Sequence, residues 1–170
     1  MEIKWLTEDF NQDRLILAGD IGGTNTNLAL VGEKKGNFTI IVEVIHKSSE
    51  IKDLSGPVKD FVAMVKEKAS SAKMESCCIS AAGPVEGNRC QLTNLSWAID
   101  GDAIEKATGI KTLIINDFLA IGYGIPTLDV NHPKQITKLP ATDGSFPQPH
   151  GTTKGVVGAG TGLGVGFLTA

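Results

Sequence analysis

Long apolar runs are missing from this chain of 170 residues. None approaches the roughly 20 residues a helix needs to cross a bilayer. The opening stretch, "MEIKWLTEDFNQD", also lacks the apolar core of a secretory signal. An excess of one charge is missing too. A formal net charge of −3 argues against a chain held to nucleic acid or to an anionic membrane by electrostatics. The local basic spot Lys34-Lys35 reads as a solvated turn. Cysteine is scarce: Cys77, Cys78 and Cys90 stand without a CxxC pattern and without a His at metal-ligand spacing. On a strand, Cys77 and Cys78 would point to opposite faces, which argues against a shared metal. The three read as buried, reduced structural thiols, which suits the cytoplasm.

What is present is an ordinary globular composition, 41% apolar and 21% charged, over a length that allows one domain or one domain plus part of another. Residues 1–13 read as a short docking helix or a frayed tail. "RLILAGD", "TNLALVG" and "FTIIVEVIH" read as three strands of an antiparallel meander, with a turn over Gly32 to Asn37 before the third. From Ser55 the period changes. Pro57 suits a first helical turn, and Val58, Phe61, Val62, Val65 and Ala69 fall on one face.

"ESCCISAAG" returns to a strand, "GPVEGN" is turn chemistry, and "RCQLTN" is a short extended piece. Asp100 can cap a helix running to Thr108, which Gly109 can end. "KTLIIN" reads as a buried strand, followed by a short helix from Asp117 that stops before Pro126. A long loop covers 127–154, and "GVVGAGTGLGVGFL" reads as strand, glycine turn, strand. The order predicts an α/β layered fold whose later strands run parallel.

Two segments share a design. "GDIGGTNTN" and "GAGTGLG" are glycine-rich, join predicted strands and carry threonine hydroxyls. Glycines let backbone N–H groups converge on an anion such as phosphate, yet both segments also suit tight hairpins. No Lys follows them as a P-loop requires, and Leu163 stands where a dinucleotide fingerprint needs its third glycine. "IINDFLA" places Asn116 and Asp117 directly after a strand, where α/β folds bind ligands; helix capping is the plainer reading. In "TNLSWAID", Asn94 and Trp97 suit a polar ligand, or a turn and a core.

Taken together, "GDIGGTNTNLAL", "AAGPVEG", "LTNLSWAI", "IINDFLAIGYGIP" and "GAGTGLGVG" resemble the bacterial-type glucokinase family of the actin-like sugar kinase superfamily. The resemblance runs from about residue 15 to residue 168. It implies a ribonuclease H-like small α/β domain, three antiparallel strands followed by parallel strands with helices, and the start of a second similar domain. The implied division is a tail over 1–13, the small domain over 14–127, and a connector with the start of the large domain over 128–170.

The resemblance also implies an ATP-dependent hexose kinase that passes the γ-phosphoryl group to the 6-hydroxyl of glucose at the entry to glycolysis. Asp20 would orient Mg2+, while Gly22, Gly23, Thr24 and Asn25 approach the phosphates of ATP. Gly160, Thr161 and Gly162 would form the second phosphate loop. Asn116, helped by Asn94, would bind glucose, and Asp117 would act as the base. The chain resembles an N-terminal half, so its implied partners are glucose, the other half of the enzyme and a second copy in a homodimer. Neither nucleic acid nor membrane is implied. The alternative is a catalytically inactive fragment serving as a sugar-binding or interaction module. Strands around "GAGTGLG" would then expose Val156, Val157, Val165, Phe167 and Leu168 and invite self-association.

Overall fold

In the computed structural model, all residues are described except 93, 94, 147, 149, 150, 160–162 and 170. The chain divides into two compact units, Met1–Asp117 and Phe118–Ala170. In the first, strands β1 (Glu2–Trp5), β2 (Arg14–Ile21), β3 (Asn25–Lys34) and β4 (Asn37–Lys47) precede helix α1 (Ser55–Lys68). Strand β5 (Met74–Ala81) follows, then the short strands β6 (Val85–Glu86), β7 (Arg89–Gln91) and β8 (Ala98–Asp100). Helix α2 (Gly101–Thr108) and strand β9 (Lys111–Asn116) lead to helix α3 (Asp117–Gly124).

Six strands form one sheet in the order β1-β4-β3-β2-β5-β9, with β2–β5 and β5–β9 parallel and the others antiparallel. The meander is therefore continued by parallel strands, and the fold is mixed α/β. Alternation explains which face is covered. Leu17, Leu28, Leu30, Val42 and Ile79 are fully buried and share one core with Val58, Phe61, Val62 and Val65 of α1 and with Ile104 of α2. Burying each large aliphatic side chain contributes about 1.5–3 kcal/mol.

Local signals act as their chemistry requires. Asp100 accepts a bond from the Ala103 N–H at the start of α2, and Gly109 closes that helix with φ 72°. Between β3 and β4 the turn is tighter than the sequence suggests, because strand pairing continues to Lys34↔Asn37. Lys35 and Gly36, at φ 53° and 81°, make the left-handed two-residue turn that matches strand twist.

Two expectations change. Residues 1–13 are neither helix nor frayed tail, because β1 pairs with the outer edge of β4 through Ile3↔Val44 and Trp5↔Val42. That edge offers a ladder of backbone groups that a short strand satisfies. Trp5 then meets Phe10 edge-on at 6.2 Å and lies under the Lys68 ammonium at 4.8 Å. "KTLIIN" is not buried on both faces. β9 is the opposite edge of the sheet, and Leu113 is 57% exposed between buried Thr112 and Ile114. Helices α1 and α2 share their core with one set of strand side chains, and the alternate set stays outside it.

The edge of β9 is covered by a side chain. "GPVEGN" forms the β6–β7 hairpin, and its Asn88, at φ 59°, lays its amide against β9. Asn88 Oδ1 accepts from Ile114 N–H at 2.9 Å, while Nδ2 donates to the Thr112 carbonyl at 3.1 Å and to Asp102 at 2.9 Å. The amide thus bonds β9 as a neighbouring strand would. Asn88→Ala is expected to cost about 1–3 kcal/mol, since it strips these backbone partners. Urea denaturation checks this; an unchanged midpoint would reduce the clamp to decoration.

The second unit holds a 3-10 turn over Ile125–Thr127, a stretch of turns, and the antiparallel hairpin of β10 (Lys154–Ala159) and β11 (Leu163–Leu168). Glycines there serve packing. A Cβ built at Gly158 or Gly164, which pair across the hairpin, would lie 2.8 or 2.6 Å from the Phe118 ring. Val157, Val165 and Phe167 are exposed as expected, but Val156 and Leu168 are half-buried on the face that holds Phe118 and Gly122.

Candidate functional site

The parallel ladder brings three strand ends together at one edge of the sheet. Ile21 of β2 lies beside Ala81 of β5, and Ala81 lies beside Asn116 of β9. Ligands in open α/β sheets sit at this carboxyl edge. Asp20 pairs in register with Ser80, whose hydroxyl donates to Asp20 Oδ1 at 2.9 Å. The carboxylate is exposed, and Ser80 fixes one of its oxygens. Among the described residues no group of three His, Cys, Asp or Glu stands ready to hold a metal.

Residues 22–24 connect β2 to β3, and Gly22 N–H donates to the Asn25 carbonyl at 2.9 Å to close the turn. Gly23, Thr24 and Asn25 are exposed. The loop is held from behind by Ser48, which is fully buried. Its hydroxyl donates to the Gly22 carbonyl at 2.8 Å, and its N–H donates to the Thr24 carbonyl at 2.9 Å. Its single hydroxyl proton being used, Ser48 Oγ accepts from Thr26 at 2.9 Å.

At the other strand end, Asn116 Nδ2 donates to the Gly83 carbonyl at 3.1 Å. Gly83 is packed hard: an added Cβ would lie 2.7 Å from the Gln91 carbonyl oxygen and 3.0 Å from Cys90 Sγ. Asp117 opens α3 and is exposed. The Cys90 thiol is pushed up by burial, and the nearby Asp117 carboxylate adds to the effect. Cys77 is pushed up to about 12 by burial, so at neutral pH it is a protonated core residue, without nucleophilic character. All three cysteines are free.

The structure thus puts Asp20, Gly22, Gly23, Thr24, Asn25, Asn116 and Asp117 along one edge of the first unit. Asn94, Gly160, Thr161 and Gly162 lie outside the described residues. Trp97 is buried, and its Nε1 donates to the Ser48 carbonyl at 3.3 Å. Sequence reasoning missed Ser48, Ser80, Gly83 and Asn88. Ser80 carried a faint signal, since it alternates with Cys78 on a strand leading to a glycine. The others had none, because each is tied to a distant segment: Ser48 to Gly22 and Trp97, Gly83 to Asn116, and Asn88 to Thr112 and Ile114.

A family profile described as Glucokinase matches residues 17–170. A glucokinase of Nostoc punctiforme is 43% identical over 159 residues, covering 91% of this chain and 42% of that protein. The chain therefore spans about two fifths of the length of the curated relatives it matches. Among solved structures, a glucokinase from an Antarctic psychrotroph superposes with a TM-score of 0.72 at 28% identity, over 94% of this chain and 50% of that one. A ROK family glucokinase from Streptomyces griseus, in complex with glucose and AMPPNP, shares the fold at a TM-score of 0.55 and 21% identity, over 91% of this chain and 44% of that one.

Proposed function

The chain belongs to the glucokinase family, and from that premise we propose that the protein carrying it transfers the γ-phosphoryl group of ATP to the 6-hydroxyl of glucose. One observation carries the reading: Asp20, the exposed loop 22–25 and the Asn116-Asp117 pair share one carboxyl edge of the sheet.

Phosphoryl transfer needs positioning and charge stabilisation more than covalent chemistry. Loop 22–25 supplies backbone amides to the phosphates, and Gly160, Thr161 and Gly162 supply the second set. When bound, Mg2+ neutralises charge on the phosphates. Asp20 would hold the ion, a role that suits an exposed carboxylate steadied by Ser80. Asn116 binds sugar hydroxyls with Asn94, and Asp117 takes the proton from the 6-hydroxyl as that oxygen attacks. The domain division at about residue 127 and a cytoplasmic location belong to the same reading. Free thiols support the location, and no helix among the described residues is long and apolar enough to cross a membrane.

Gly23→Val tests the loop in a full-length protein. A branched side chain there blocks backbone approach to phosphate, so ATP affinity should fall roughly tenfold or more while glucose affinity holds. Calorimetric titration reads both. Normal ATP affinity in this variant would leave the loop a plain hairpin.

A further inference from the structure

We propose that Ser48 is a positioning residue that sets the amides of the first glycine loop and ties that loop to the Trp97 segment. The proposal rests on reading loop 22–25 as a phosphate site. Ser48 sits in the 3-10 turn Ser48–Glu50 just after β4, and none of its surface is exposed. A buried hydroxyl is costly without partners. Here every polar group of the residue is used. The O–H reaches the Gly22 carbonyl, Oγ meets Thr26, the N–H reaches the Thr24 carbonyl, and the carbonyl accepts from Trp97 Nε1 and from Ile51 N–H.

The consequence follows from peptide planarity. In a trans peptide, the carbonyl of one residue and the N–H of the next point in opposite directions, and no peptide bond among the described residues is cis. By drawing the Gly22 and Thr24 carbonyls inward, Ser48 turns the N–H groups of Gly23 and Asn25 away from itself. Those residues lie on the exposed stretch of the loop. Two amide donors held on the side of the loop away from Ser48 are open to an oxyanion, and holding them before the ligand arrives lowers the ordering cost of binding. Trp97 adds a second anchor. A buried indole N–H needs an acceptor, and the Ser48 carbonyl supplies it. Trp97 and the glycine loop are thereby fastened to one residue, although the sequence separates Gly22 from Ser48 by 26 positions and Ser48 from Trp97 by 49.

The test uses full-length protein with Ser48→Ala, Trp97→Phe and Gly23→Val. Readouts are hydrogen exchange over residues 22–25 and calorimetric affinities for ATP with magnesium and for glucose. Ser48→Ala should speed loop exchange about tenfold and weaken ATP about tenfold, by loss of the hydroxyl's bonds to the Gly22 carbonyl and from Thr26, with glucose affinity changed less than about twofold. Trp97→Phe, which removes the N–H donor and keeps a smaller aromatic ring, should shift both loop exchange and ATP by about threefold. It carries the test alone where Ser48→Ala does not fold. A general loss of stability would lower both affinities together, so the split between the ligands separates positioning from scaffolding. Unchanged loop exchange, or unchanged ATP affinity where Gly23→Val weakens ATP, overturns the role of Ser48. If loop exchange quickens while neither Ser48→Ala nor Gly23→Val moves ATP, the phosphate-site reading itself has failed, and the proposal falls with it.

Discussion

Asp117→Asn, made in a full-length protein carrying this chain, should lower the turnover of glucose phosphorylation by about 100-fold or more while leaving the fold intact. An alcohol is a poor nucleophile near pH 7, and a carboxylate within reach can accept its proton as the bond to phosphorus forms. An amide of the same shape cannot. Folding should survive because Asp117 is exposed at the start of α3, where asparagine satisfies helix N–H groups nearly as well. Asn116 is untouched, so the KM for glucose should move little. A coupled assay for ADP together with a thermal melt separates the two effects. Near-normal turnover would reassign Asp117 to capping α3.

Gly83→Ala should damage stability and sugar binding together. The new Cβ would stand 2.7 Å from the backbone oxygen of Gln91 and 3.0 Å from Cys90 Sγ, which is fully buried. A backbone carbonyl cannot swing aside as a side-chain tip can, so the β6–β7 hairpin must shift. Overpacking of this kind costs about 1–3 kcal/mol, and each kcal/mol lowers Tm by roughly 2–8 °C for a unit between the small and mid-sized domain ranges. The same displacement moves the Gly83 carbonyl, which holds Asn116 Nδ2 at 3.1 Å. The KM for glucose should therefore rise severalfold while ATP affinity stays close to normal. A variant with unchanged Tm and unchanged glucose KM would show that the turn has slack the geometry denies.

These two variants probe different levels of legibility. Asp117 stands out in "IINDFLA" as an acid directly after an apolar strand, a place that suits a ligand and more plainly a helix cap, and the family resemblance is what singles it out. Gly83 does not stand out. "AAGPVEG" announces a turn, but the need for glycine at 83 comes from Gln91 and Cys90 on a strand that folds back against it. The same holds for "GAGTGLGVG". Its glycines suggest an anion loop, yet Gly158 and Gly164 also seat the ring of Phe118, more than 35 residues earlier in the chain.

By itself the sequence determined whatever depends on near neighbours. The period of Val58, Phe61, Val62 and Val65 made α1 and chose its buried face. Asp100 and Gly109 bounded α2, and the meander followed from three apolar runs with glycine turns between them. The motifs, in their order, carried the family. Tertiary structure alone decided that β1 closes one edge of the sheet and that Asn88 covers the other. It also set Ser80 beside Asp20 and gathered the glycine loop and Trp97 onto Ser48. The reason is physical. Periodicity and turn chemistry act over a few bonds, whereas strand order and register are settled when distant segments bury a common core. Only then does a serine in "HKSSEI", polar and unremarked in the chain, find itself enclosed behind the loop it holds.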